Sequence, residues 1–352
     1  MKRIISLVLL LMIVFVMQGY ALELTKGKMK LILHEDVGRF SLYYLTDVRR
    51  TNYTPLFLDE DPRTSFLTVL EGNKTYRMGE AYNFTQEVEE TENGGAFIWT
   101  SNQLEIREEF SFISSPSSAL SDGFTITITI ENISEQNLSV GCNYVFDTYL
   151  GERDNTHFFA DGNLSIENET EFSSRSMPGF IVSGGKDKTP GFQIMLNGRG
   201  ITTPDRIVAA NWKRLSDGGW GYTVNSQRNF NQLPYSINDS ALSIYYNARR
   251  IERGQTQEIV MAMGHYSSEG FSLSGERQKT EISDVFTKTL NTEPQTGDTE
   301  LSVQTDLLTV RDLIKEINQI LQSDETVSES ELEVMNQVIE ELEKRKSRYE
   351  NR

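Results

Sequence analysis

The stretch GFTITITIENI, Gly123 to Ile133, decides the fold class. Thr125, Thr127 and Thr129 alternate with Ile126, Ile128 and Ile130. An extended backbone sends those hydroxyls to one face and the isoleucine side chains to the other. A strand with one apolar face belongs to an antiparallel sheet packed on one side. Working outward, the same period of two recurs from Leu22 to about Leu290. It runs through KMKLILHE, RFSLYYLT, SFLTVLEG, KTYRMG, AFIWTS, QLEIREEFSFI, LSVGCNYVFDTYL, GFIVSG, GFQIMLNG, RIVAANW, ALSIYYNAR and TQEIVMAMGH. Each run is rich in β-branched and aromatic residues and ends at Gly, Asn, Asp or Pro. No helical period of useful length interrupts them. About a dozen strands or more exceed an immunoglobulin-like sandwich. The expectation over residues 22–290 is a mainly β domain, a large antiparallel two-sheet sandwich.

Beyond Leu290 the pattern changes. NTEPQTGDTE opens a polar linker over residues 291–302, and residues 303–352 take a helical period. Leu307, Val310, Leu313, Ile314, Ile317, Ile320 and Leu321 line one helix. SDETVSES breaks it, and Ser330 with Glu333 has the spacing of a capping box. Leu332, Met335, Val338, Ile339, Leu342 and Tyr349 then line a second helix. The expectation is an α-helical hairpin with a narrow, coiled-coil-like seam. Two readings stand. The helices satisfy each other or lie on the sandwich, or Val310, Leu313, Ile317, Ile320, Met335, Ile339 and Leu342 dock a partner, as a homo- or hetero-oligomer.

At the other end, Met1-Lys2-Arg3 precedes an apolar run from Ile4 to Met17 and the small-x-small Gly19-Tyr20-Ala21. This is the pattern of a secretory signal over residues 1–21, cut after Ala21. No cysteine stands there, so a lipoprotein anchor is not expected. The protein is expected to be exported, to a periplasm, with no integral membrane span in the mature chain. A net charge of −17, or −19 once Lys2 and Arg3 are removed, argues against nucleic acid and anionic membranes as partners. Cys142 is the only cysteine, so no internal disulfide can form, and it reads as a small buried residue.

Three stretches, Asp122 to Gly151, Thr202 to Tyr222 and Asp239 to Gly264, together resemble the galactose-mutarotase-like supersandwich of aldose epimerases, polysaccharide lyases and glycoside hydrolases. More closely, they resemble exported bacterial members that keep this sandwich without the enzyme's residues. In the epimerases, the resemblance implies a histidine acid and a glutamate base acting on a sugar ring. The histidine strand falls near Val145, Phe146 and Asp147, where no histidine stands. NTHFF, Asn155 to Phe159, echoes the motif with Thr156 inserted, and ALSIYYNAR stands where the base would be. Acid–base catalysis needs both groups on one substrate, so the missing pair favours a binding role.

Two local constellations remain. YVFDTYLGERDNTHFF places Asp147, Glu152, Arg153, Asp154 and His157 at one strand end. They read either as glycosidase-type carboxylates or Ca²⁺ ligands, or as a polar rim with Glu152, Arg153 and Asp154 in solvated salt bridges. Trp212, Trp220 and Tyr222 read either as rings that stack on a sugar or as a hairpin filling the core. No EF-hand loop, paired-His spacing, phosphate loop or nucleophile elbow is present, so neither a metal nor a cofactor is expected. The expected partners are an envelope protein or a carbohydrate.

Overall fold

The computed structural model describes residues 21–273, apart from 48–49, 59–61, 117, 119, 189 and 235, and then 303, 306–308, 310–311, 314 and 329–350. The signal segment up to residue 20, the linker, and the positions Leu313, Ile317 and Ile320 lie outside the described residues. So do the side chains at 329–335 and 348–350, Met335 among them. The described chain is mainly β, and its strands pair antiparallel in three sheets rather than the expected two. The additional sheet is a meander of β1 (Ala21–Lys26), β2 (Met29–His34), β3 (Arg39–Asp47) and β4 (Asn52–Pro55), paired only within itself. Pro55, with no N–H to donate, ends it.

The nine-stranded sheet runs β13 (Leu164–Ile166), β12 (Phe158–Ala160), β15 (Phe180–Gly184), β16 (Gly191–Met195), β19 (Thr256–His265), β10 (Gly123–Asn132), β9 (Leu104–Ile113), β8 (Gly94–Thr100) and β7 (Thr85–Thr91). The six-stranded sheet runs β14 (Thr170–Ser173), β17 (Arg206–Asn211), β18 (Ser240–Ile251), β11 (Leu138–Thr148), β5 (Phe66–Glu71) and β6 (Lys74–Arg77). The consecutive strands β18 and β19 thus stand in different sheets, β18 between β17 and β11 in the six-stranded one and β19 between β16 and β10 in the nine-stranded one.

The alternation that opened the sequence is the packing rule of the core. Ile126, Ile128 and Ile130 are fully buried, whereas Thr127 and Thr129 are half-buried. One continuous core joins Phe110, Phe124 and Met261 of the nine-stranded sheet to Val69, Tyr144 and Ile244 of the six-stranded sheet. Phe57, after β4, meets Phe192 at 4.6 Å and Phe146 at 5.6 Å between ring centroids, touching both large sheets. Phe40 of β3 likewise meets Phe110 at 4.8 Å and Tyr144 at 6.3 Å. Burying one such ring stabilises the fold by about 1.5–3 kcal/mol. Glu108 breaks the apolar pattern. It occupies an inward position of β9 with a hydrogen bond to Tyr144, and burial pushes its carboxyl up to about 8.

Two local expectations change. The region expected to be free of helix contains α1 (Trp212–Gly218), and the expected aromatic hairpin is this helix followed by a 3-10 turn, Gly219–Gly221. Asn211 caps α1, its side chain accepting from the Arg214 N–H, and an Asn cap outweighs the strand-like start of the segment. At the C-terminal end, α2 (Glu329–Glu350) is helical, and so are residues 303, 306–308, 310–311 and 314. Leu308 packs with Leu45, Leu120 and Tyr53, and Arg311 donates to the Gly27 carbonyl at 2.8 Å. A buried ion pair, Asp306–Arg345 at 3.1 Å, ties this segment to α2. Val338 is buried, Val310 and Leu342 are half-buried, and Leu307, Ile314 and Ile339 are exposed. No helix among the described residues is long and apolar enough to cross a membrane.

Candidate functional site

The end of β11 delivers Asp147 and Thr148 beside the start of β18, because the register pairs Thr148 with Ser240. Their hydroxyls cross over: Thr148 Oγ1 donates to the Ser240 carbonyl at 3.3 Å, and Ser240 Oγ donates to the Thr148 carbonyl at 3.4 Å. Gly151 opens a 3-10 turn, Glu152–Asp154, that returns Glu152 to this junction. Glu152 Oε1 accepts from the Ser240 N–H at 2.8 Å and from Ser240 Oγ at 3.3 Å. This replaces the solvated salt bridge expected for Glu152. Arg153 and Asp154 are exposed, while Asp147 and His157 are buried.

Three carboxyls meet here. Burial pushes Asp147 up to about 8, opposed by a hydrogen bond from Thr64 and reinforced by Asp239 and Glu152. Glu152 is pushed up to about 7 by burial and Asp239, against the two Ser240 hydrogen bonds. Asp239 is also raised by burial, with Ser236 Oγ donating to its Oδ2 at 2.7 Å. Like charges in a low-dielectric site cannot all ionise cheaply, so ionising one of the three opposes ionising the next. Among the described residues no group of three or more His, Cys, Asp or Glu could hold a metal ion.

A loop closes over this group. Asn211 Nδ2 donates to the Phe230 carbonyl, Ser236 Oγ and the Asp239 carbonyl at 3.0, 2.6 and 3.0 Å. Arg214 donates to the Asn231 and Asn229 carbonyls at 2.7 and 2.6 Å. It also meets Glu169 at 2.6 Å, an ion pair too poorly aligned to count as a hydrogen bond. His157 lies on the Phe230 ring at 4.4 Å between centroids, and burial lowers it to about 4, so it is neutral at pH 7. Its buried Nδ1 has no hydrogen-bond partner among the described residues.

Trp212, Trp220 and Tyr222 pack on the outer face of the six-stranded sheet. They form a small second core with Phe66, Val145, Val208, Leu215 and Tyr245. Trp220 meets Tyr245 edge-on at 5.7 Å, and Tyr222 is buried and raised to about 12 by burial and by Glu169. Thr64, in the 3-10 turn Pro62–Thr64, links the two constellations. Its carbonyl accepts from Trp212 Nε1 at 2.8 Å and its side chain binds Asp147. Asp239, Asn211 and Ser240 escape a reading of the sequence, because only the β11–β18 and β17–β18 registers bring them towards Asp147. The one local signal is the Asn-Asp-Ser run ahead of ALSIYYNAR.

No family model matches the chain, and no curated protein matches it. Solved structures do. The chain is similar to an aldose 1-epimerase, so named provisionally, from Escherichia coli K12 (8% identity, 70% of this chain and 98% of that one, TM-score 0.44). It is similar to a galactose mutarotase related enzyme from Lactobacillus acidophilus (10% identity, 72% and 100%, TM-score 0.41). A galactose mutarotase-like protein from Lactobacillus casei also matches (8% identity, 70% and 100%, TM-score 0.42). All three likenesses are at low sequence identity.

Proposed function

We propose that this chain is a non-catalytic, exported binding or scaffold protein of the periplasm. It recognises another envelope protein or a polysaccharide, with a supersandwich as its rigid platform and a C-terminal helical hairpin as its interaction arm. The observation that carries this reading is the engagement of the Asp147–His157 stretch by the chain itself. Glu152 is held by Ser240, Asp147 by Thr64, and the His157 ring by Phe230. Groups used in this way hold a strand end and a loop in place. Capture from envelope extract on immobilised full-length protein, alongside a polysaccharide-binding screen, tests it. Saturable binding without turnover is expected, and turnover of a bound polysaccharide would sink it.

A carbohydrate-active enzyme, lyase or epimerase-like, is the second reading. The observation favouring it is the trio Asp147, Glu152 and Asp239, with carboxyls raised into the range useful for proton transfer. Turnover lost in both Asp147→Asn and Glu152→Gln, with folding retained, would establish that reading instead.

A further inference from the structure

The loop between β15 and β16 holds a lysine amine among aromatic rings. Its ends are the paired Gly184 and Gly191, and the Lys188 N–H closes a turn onto the Gly185 carbonyl at 2.9 Å. Lys188 Nζ stands 4.8 Å from the centroid of the Phe159 ring and 5.5 Å from that of Tyr266. Both distances fall inside the roughly 6 Å over which a ring face attracts a cation. Three parts of the fold bring these groups together. Phe158 of β12 faces the core, so Phe159, the next residue along the strand, faces outward. Tyr266 follows β19, its N–H donating to the Gly191 carbonyl at 2.8 Å. A Cβ at Gly191 would lie 2.5 Å from the Lys188 carbonyl oxygen and 3.1 Å from Tyr266 Cβ, so only glycine lets the loop close this far onto the tyrosine. Phe180 of β15 lengthens the wall. Its ring tip and the Tyr266 hydroxyl both border Gly162, 3.6 and 3.5 Å from where a Cβ would stand. All three rings are half-buried, so each keeps part of its surface open to solvent.

Among the described residues, rings alone hold this amine. Lys188 makes no ion pair there. Lys30 differs: it lies over Tyr43 at 4.7 Å and Tyr53 at 5.0 Å but also meets Glu23 at 3.7 Å. Two costs oppose the placement of Lys188. Its backbone is left-handed (φ 55°), which a residue with a Cβ adopts reluctantly, and its four-carbon stem loses rotamer freedom. An ammonium group that arrives with neither cost competes for the same place. We propose that Phe159 and Tyr266 form a receptor for a quaternary ammonium group, and that Lys188 is its resident occupant, displaced when the ligand binds. A trimethylammonium suits the rings better than a primary amine, because its methyl groups spread the charge and leave less hydration to lose on entry. Carboxylates beside the turn favour a cation. Asp154 Oδ2 and Asp187 Oδ1 lie 2.7 and 3.5 Å from the Cβ position of Gly185, on a chain of net charge −17. This goes beyond the binding role proposed above and does not depend on it.

Choline is titrated against the full-length protein, with binding read by saturation transfer to its methyl protons, and with dimethylbutanol as the uncharged isostere. Choline should bind saturably, and the alcohol at least about fivefold more weakly, the ratio that about 1 kcal/mol of cation–π attraction produces. Phe159→Leu and Tyr266→Leu keep apolar bulk but lose the ring face, and each should weaken choline by about that factor. Lys188→Gln removes the resident amine and should tighten choline. Displacement is also read directly: saturating choline should speed acetylation of Lys188 by a succinimidyl ester and leave Lys30 unchanged. Phosphatidylcholine vesicles distinguish the two sources of the group, since co-sedimentation assigns a lipid headgroup and its absence a free cation. The unfolding midpoint shows whether each leucine variant is folded; where one is not, Lys188→Gln and the acetylation rates decide. No saturable choline binding, equal binding of the uncharged isostere, or binding that Lys188→Gln leaves unchanged would overturn the proposal and leave Lys188 as a strut of its own loop.

Discussion

Glu108→Gln should make this protein more stable, and the gain should grow with pH. Glu108 is fully buried on the inner face of β9, and one carboxyl oxygen has no hydrogen-bond partner among the described residues. Burial pushes the group from its ordinary 4.5 up to about 8, against the pull of Tyr144 and Arg39. Between those two values the folded chain holds a proton that the unfolded chain has released. Stability therefore falls as pH rises, by about 1.4 kcal/mol for each pH unit. The cost is below about 1 kcal/mol at pH 5, about 3 kcal/mol at pH 7 and about 4 kcal/mol at pH 8. Glutamine keeps the shape and can still pair with Tyr144, but it never has to hold that proton. Urea unfolding of both proteins at pH 5, 6, 7 and 8 measures the difference directly. The other buried acids, Asp122, Asp147, Glu152 and Asp239, titrate in both proteins and cancel. A stability difference that stays constant across this range would refute the reasoning.

Asp147→Asn follows the same sign, since its carboxyl is also raised to about 8; its unfolding midpoint should exceed the parent's at pH 8 and approach it at pH 5. Glu169→Ala strands the guanidinium of Arg214 and should cost about 3–5 kcal/mol, with faster hydrogen exchange over residues 228–239 as the local signature. Leu308→Asp puts a carboxylate against Leu45 and Leu120, which is strongly unfavourable; limited proteolysis should then cut the C-terminal helices while the sandwich keeps its unfolding midpoint. Thr64→Val removes the hydroxyl bound to Asp147 and should cost about 1–2 kcal/mol, measured by the same urea titration.

The fold was legible where one residue type recurs every second position. The Thr-Ile alternation of β10 and the aliphatic runs of β9 and β19 carry their own partition between core and outer face. β7 was not legible, because Thr-Gln-Glu-Val-Glu-Glu-Thr lies at a sheet edge and needs few apolar residues. The short β12, β13 and β14 were also missed, since three or four residues give too little period to read. At the candidate site, Asp147, Glu152 and His157 were visible as a local cluster of polar residues. Asp239 and Asn211 were not, because their proximity comes from strand register across 92 and 64 residues of chain respectively. The separation of Trp212 from the main core depends on which side of the six-stranded sheet α1 crosses, and no spacing encodes that.

The consecutive strands β18 and β19, one in the interior of each large sheet, have a consequence for how the chain reaches its final form. Without residues 240–265, β14–β17 and β11–β5–β6 have no shared edge, and neither do β13–β12–β15–β16 and β10–β9–β8–β7. A chain emerging amino end first from a ribosome therefore carries four partial sheets with unpaired edges until β18 and β19 arrive. Such edges are templates for pairing with other chains. The vulnerable interval closes when β18 completes the six-stranded sheet and β19 the nine-stranded one, so a chaperone that shields strand edges would be needed only up to that moment.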